Sequence, residues 1–117
     1  MLVPAFVSVA AAVAAPIVFA CNMKALTHAE RVQHAANTHR LTAAVVETQE
    51  GDRSFRFRIA ENRMDLAALA EWVRLERKCC PFFTFAIEVE GGAGATWLTL
   101  SGPPGVKEFI RLELGLS

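Results

Sequence analysis

The chain has 117 residues, a length typical of one domain, and its 12 basic and 12 acidic side chains give a formal net charge of zero. Balanced charge supplies no attraction for a phosphate backbone, so general nucleic-acid binding is excluded as the expected function. The odd number of cysteines, three, lacks the spacing of a disulfide framework. It indicates free thiols, a metal site, or one pair with a thiol left over.

The N-terminal residues form an apolar segment. Residues 1–20 carry no charge and are long enough to span a membrane, so we divide the chain into this segment and one domain at 21–117. Three interpretations stay open. As a membrane anchor followed by Lys24 and Arg31, the segment would keep the domain cytoplasmic. As a secretory signal ending in a lipoprotein-like box at 18–21, it would export the domain. A later translation start would leave it without a structural role.

The first element of the domain is predicted to be a helix over residues 28–40. It begins at a capping box, since Thr27 and Glu30 stand at the N-cap and N3 positions. The next segment, 42–60, predicts a β-hairpin, because apolar and polar residues alternate after a turn-forming glycine. The alternating apolar side chains are Phe55, Phe57 and Ile59. The alternative is one longer helix reaching residue 48, which β-branched residues disfavour.

The strongest helical pattern follows at residues 61–80. Asn62 is the predicted N-cap, and Asp65 lies in the first turn, where the helix dipole favours an acidic side chain. Pro81 disfavours helical backbone at Cys80, so the helix is expected to end there.

A second hairpin and a short helix complete the domain. Alternating residues at 83–89 and the segment 96–100, joined by a glycine-rich turn, predict two strands. Residues 106–115 predict a helix with a proline near its start. The order α-ββ-α-ββ-α indicates an α+β domain in which two hairpins form a four-stranded antiparallel sheet with helices packed on one face.

The adjacent cysteines Cys79 and Cys80 allow three interpretations. Both continue apolar stripes of the helix, so they can be core residues, which free cysteines often are. A redox pair is the second interpretation, although neighbouring residues form a strained disulfide ring and the spacing differs from that of thioredoxin-like sites. In the third, Pro81 unwinds the helix end and lets both sulfurs converge on one soft metal ion, such as Hg(II), Cu(I) or Zn(II).

Two further residues are candidate ligands for such an ion. Cys21 supplies a third thiolate if residues 21–26 fold back onto the domain. His34 is a candidate fourth ligand near Cys21, although a half-exposed helical histidine is the commoner role. No phosphate loop, nucleophile elbow or paired-carboxylate motif is present.

Three stretches of the chain carry a resemblance to a known group of proteins. Residues 20–34, 71–90 and 100–109 resemble short, largely uncharacterised bacterial proteins with a Cys-Cys-Pro-Phe motif, a group associated with heavy-metal resistance and metal-responsive regulators. The resemblance covers about residues 17–113. Its specific residues are Cys21, His34, Cys79 and Cys80. It implies metal binding without catalytic activity, and the segment 1–20 departs from it because members begin near the position of Cys21.

The expected function is therefore that of a small protein that binds a soft metal ion through thiolates and sequesters it or hands it on. The alternative is a non-enzymatic interaction domain, tethered to a membrane or not, with structural core cysteines. A thiol enzyme using Cys80 with His34 as its base is a third hypothesis.

Overall fold

The computed structural model describes residues 19–92 and 94–116. Within these ranges the chain forms three α-helices and four β-strands, preceded by a short 3-10 turn at Met23–Ala25. The elements are α1 (His28–Ala44), β1 (Val45–Glu50), β2 (Ser54–Ile59), α2 (Leu66–Cys79), β3 (Thr84–Val89), β4 (Thr96–Ser101) and α3 (Val106–Leu114). This order confirms the predicted α+β arrangement.

Most of the predicted signal or anchor, residues 1–18, lies outside the described residues. In the part of the chain that the structure describes, no helix combines the length and the apolar character needed to cross a membrane.

The four strands form one antiparallel sheet in the order β1-β2-β4-β3. The two hairpins join through their second strands, and Phe57 of β2 lies opposite Leu98 of β4. Both side chains are completely buried. The centre of the sheet is therefore also the centre of the core.

The first helix is longer than the sequence indicated. We predicted strand from residue 42, but α1 continues to Ala44, and only from Val45 is the chain extended. Leu41 and Ala44 are completely buried and lie one turn apart, so packing against the core holds this last turn in the helix. The β-branched residues from Val45 onward do form the first strand, as expected.

The predicted cap of the second helix was wrong. Asp65 is the N-cap of α2, and its carboxylate accepts a hydrogen bond from the backbone N–H of Ala68 at 2.8 Å. The chain turns before this point, because the backbone N–H of Met64 donates to the carbonyl of Ala60. That turn buries the side chain of Met64 and leaves Asn62 exposed and outside the helix.

One face of α2 supplies much of the core. Trp72 is completely buried, donates its indole N–H to Thr38 of α1 at 2.9 Å, and meets Phe85 of β3 edge-on. The helix α1 packs along α2, and α3 packs against β2. At the C-terminal end of α2, the carbonyl of Cys79 accepts a hydrogen bond from the segment that precedes α1, and Cys21 of that segment contacts Glu113 of α3.

Candidate metal centre

The C-terminal end of α2 brings the adjacent thiols together. Cys80 leaves helical geometry with φ −125° and ψ 71°, while its backbone N–H still donates to the carbonyl of Glu76 at 2.7 Å. This unwinding before Pro81 places the Sγ atoms of Cys79 and Cys80 3.8 Å apart, and both side chains are 0% exposed. In an unbroken helix, consecutive side chains would point about 100° apart.

The segment before α1 folds back and delivers the third thiol. The backbone N–H of Asn22 donates to the carbonyl of Cys79 at 2.8 Å. Phe19 packs edge-on against Phe82, with 5.0 Å between the ring centroids. These two contacts hold Cys21 so that its Sγ atom lies 2.9 Å from that of Cys80. All three cysteines are free.

Glu76 is a residue of this cluster that the sequence analysis missed. Its side chain is 0% exposed, and its Oε1 atom lies 3.3 Å from Sγ of Cys79 and 3.6 Å from Sγ of Cys80. Glu76 precedes the two cysteines by three and four residues, the helical spacing that places side chains on one face. That spacing was the signal that could have identified it.

His34 lies beside Glu76 and is not one of the four residues whose ligand atoms lie within 4.8 Å of one another. Its Nε2 atom is 3.0 Å from Oε1 of Glu76, and its ring stacks on Trp72. Burial disfavours the charged imidazolium, but hydrogen bonds with Cys79 and Glu76 outweigh burial and raise the pKa of His34 to about 9. His34 is therefore a cation at neutral pH, beside Cys79 and the carboxylate of Glu76.

Glu113 of α3 is a second acidic residue of the cluster that the sequence did not indicate. The thiol of Cys21 donates to its Oε1 atom at 3.5 Å. Burial, together with the neighbouring Glu76, raises the pKa of Glu113 to about 9, so its side chain is a neutral acid at pH 7. No local pattern could reveal a contact that depends on the docking of α3.

The three thiols differ in acidity because they donate hydrogen bonds to one another. Donation from Cys21 and from Cys80 lowers the pKa of Cys79 far below that of a free thiol. The hydrogen bond with Cys21, and then that with Cys79, raises the pKa of Cys80, and the hydrogen bond with Cys79 raises the pKa of Cys21. These hydrogen bonds therefore favour a thiolate at Cys79 and keep Cys80 and Cys21 as protonated thiols.

The geometry suits a metal ion. The Sγ atoms of the three cysteines and a carboxylate oxygen of Glu76 all lie within 4.8 Å of one another, so these four residues can hold an ion. A tetrahedral site with sulfur at about 2.3 Å from zinc separates neighbouring sulfurs by about 3.8 Å. The pair Cys79 and Cys80 already shows this spacing, and Cys21 needs to retreat by about 1 Å.

Comparisons of the chain with protein-family models, with curated proteins and with solved structures found no match.

Proposed function

We propose that the protein binds one thiophilic metal ion through Cys21, Cys79 and Cys80 and sequesters it or passes it on by thiolate exchange. The observation that carries this proposal is the convergence of three free thiols and a buried carboxylate within 4.8 Å. Thiolates favour ions such as Cu(I), Zn(II) and Hg(II).

The buried acids favour this function over a purely structural role for the cysteines. Buried thiols alone pack as small hydrophobic groups. A carboxyl group in the same interior is costly unless it is paired or coordinates a metal. Glu76 is completely buried and Glu113 is half-buried, and both lie against the thiols. His34 pairs with one oxygen of Glu76, but the second oxygen of each glutamate is buried without a hydrogen-bond partner in the described part of the chain, and a metal ion would supply one.

The burial of the thiols favours exchange that begins at Cys21. Cys79 and Cys80 are 0% exposed, whereas Cys21 is half-buried and precedes the regular elements of the described chain. A thiolate of an acceptor molecule reaches Cys21 first. When it replaces Cys21 at the ion, the ion stays bound to the sulfurs of Cys79 and Cys80. The resemblance to bacterial proteins associated with heavy-metal resistance supports the same type of activity.

The test is a titration of the full chain with Cd(II) and with Cu(I), followed by thiolate-to-metal charge-transfer absorption. The wild type is expected to bind one equivalent tightly, and the double variant Cys79→Ser, Cys80→Ser is expected to lose this binding. Circular dichroism of the variant establishes that it is folded. Equally weak binding by both proteins, with thiols that resist alkylation until the protein unfolds, would support structural core cysteines instead.

A further inference from the structure

Glu76 adds a fourth possible ligand to a site that already has enough thiols for a thiophilic ion. Three thiolates are enough for Cu(I) or Hg(II), yet this carboxylate lies among them with no solvent exposure. Burying a carboxylate is costly unless a positive group pairs with it or a metal binds it. Its position among the thiols therefore makes Glu76 a candidate fourth ligand of the ion.

The two oxygens of Glu76 differ in their surroundings. Oε1 is held by His34 Nε2 at 3.0 Å, while Oε2 is buried and has no hydrogen-bond partner among residues 19–92 and 94–116. Within the same residues, His34 is the only basic side chain whose nitrogen lies within 4.0 Å of this carboxylate. Carboxylates that bind metals are commonly oriented by such a hydrogen bond, which fixes the side chain before the ion arrives.

We infer that the centre is built for a four-coordinate divalent ion of the zinc class, Zn(II) or Cd(II), which takes one oxygen of Glu76 as its fourth ligand beside the three thiolates. This inference rests on the proposed function, because it specifies the ion that the same cluster binds.

The charge of the ligand set favours a divalent ion. Three thiolates and one carboxylate bring four negative charges into a buried site. A divalent ion leaves two of these negative charges uncompensated, whereas a monovalent ion leaves three. The additional negative charge disfavours binding of a monovalent ion, because charges in a protein interior are poorly screened.

The ligand types support the same class of ion. Zinc takes four ligands in a tetrahedron and accepts sulfur, nitrogen and carboxylate oxygen in one site. Cu(I) is softer and is satisfied by thiolates alone, so an added carboxylate contributes little to its binding. The two ions are therefore expected to respond differently to the loss of the Glu76 charge.

The test compares Zn(II) and Cu(I) affinities, each measured by competition with a chelator on the full chain. Glu76→Gln keeps the size of the side chain and removes a ligand oxygen. It is expected to weaken Zn(II) binding about 10- to 100-fold, a typical range for perturbed metal sites, and to change Cu(I) binding less than about threefold. Glu71→Gln is the matched control, because Glu71 lies on the same helix outside the cluster and is expected to change neither affinity.

A second variant keeps Glu76 and removes only the group that orients it. His34→Gln is expected to weaken Zn(II) binding about tenfold, again without an effect on Cu(I). Equal losses for both ions, or no loss of Zn(II) affinity in Glu76→Gln, would overturn the inference and leave the proposed function standing. A wild-type protein that binds neither ion would overturn both.

Discussion

Two glutamates of the same helix have opposite environments. Glu71 is half-buried at the seam between α1 and α2, where Arg74 forms an ion pair with it at 2.7 Å and Lys78 pairs with Glu30 of α1 at 3.0 Å. Glu76, five residues later, is completely buried among thiols. At the seam each carboxylate has a lysine or arginine; in the cluster, within the described part of the chain, neither Glu76 nor Glu113 has one.

The acidity of these groups follows from the same difference. A hydrogen bond from the backbone of Thr27, and then Lys78, lowers the pKa of Glu30, and Arg74 lowers that of Glu71. Burial raises the pKa of Glu113 to about 9. At the seam, lysine and arginine side chains balance the carboxylates, whereas in the described part of the chain the buried carboxylates of the cluster face only His34, and a bound metal ion would add positive charge there.

The largest expected effect is stabilisation by the ion. Because the ion binds the folded cluster, Zn(II) at 1,000 times its dissociation constant is expected to raise the free energy of unfolding by about 4 kcal/mol. Urea unfolding with and without Zn(II) measures this change. The double variant Cys79→Ser, Cys80→Ser serves as the control and is expected to show no shift. An equal shift in both proteins would place zinc binding elsewhere.

The next effect concerns His34 in the metal-free protein. Its pKa is raised in the folded state from 6.5 to about 9, so its contribution to stability is full below pH 6.5 and is lost as the pH rises through 9. The stability advantage of the wild type over His34→Gln is expected to be on the order of 2 kcal/mol larger at pH 6 than at pH 10, where the loss of the stacking on Trp72 remains. Urea unfolding in the presence of a chelator measures both differences. A difference independent of pH would contradict the assigned charge.

A smaller effect is expected from loosening the segment that carries Cys21. Phe19→Ala removes the ring that packs against Phe82 and is expected to weaken Zn(II) binding about tenfold, which corresponds to about 1.4 kcal/mol. The same variant is expected to speed alkylation of Cys79 and Cys80. Leu112→Ala, at an exposed position of α3, is the control for both measurements. Unchanged alkylation would show that Cys21 does not limit access.

The smallest effect is expected at the seam. Glu71→Gln removes an ion pair between partly exposed side chains and is expected to lower the free energy of unfolding less than any of the changes above, because water screens such a pair. Chemical denaturation of the metal-free protein measures it. A loss of stability as large as that of His34→Gln at pH 6 would show that the exposed pair of Glu71 and Arg74 contributes as much as the buried pair of His34 and Glu76.

The sequence allowed the fold to be predicted because each element carries a local signal. Alternation at Phe55, Phe57 and Ile59 identified a strand, and Pro81 located the end of α2. The errors were at boundaries, where tertiary packing decides: burial of Ala44 extends α1 beyond the predicted residue 40.

The cluster was only partly predictable, since it depends on contacts between distant segments. The arrival of Cys21 requires a backbone hydrogen bond from Asn22 to Cys79 and the packing of Phe19, neither of which has a sequence signature. Glu76 stands between Leu75 and Arg77 and resembles a charged residue at a solvated helix end. Its helical spacing from the cysteines indicates the shared face, but not that this face is buried.

X-ray absorption at the zinc edge of the loaded full chain identifies the ligands of the ion, because it counts the atoms bound to it. We expect three sulfur ligands at about 2.3 Å and one oxygen at about 2.0–2.2 Å. Zinc surrounded by nitrogen and oxygen alone would contradict this expectation.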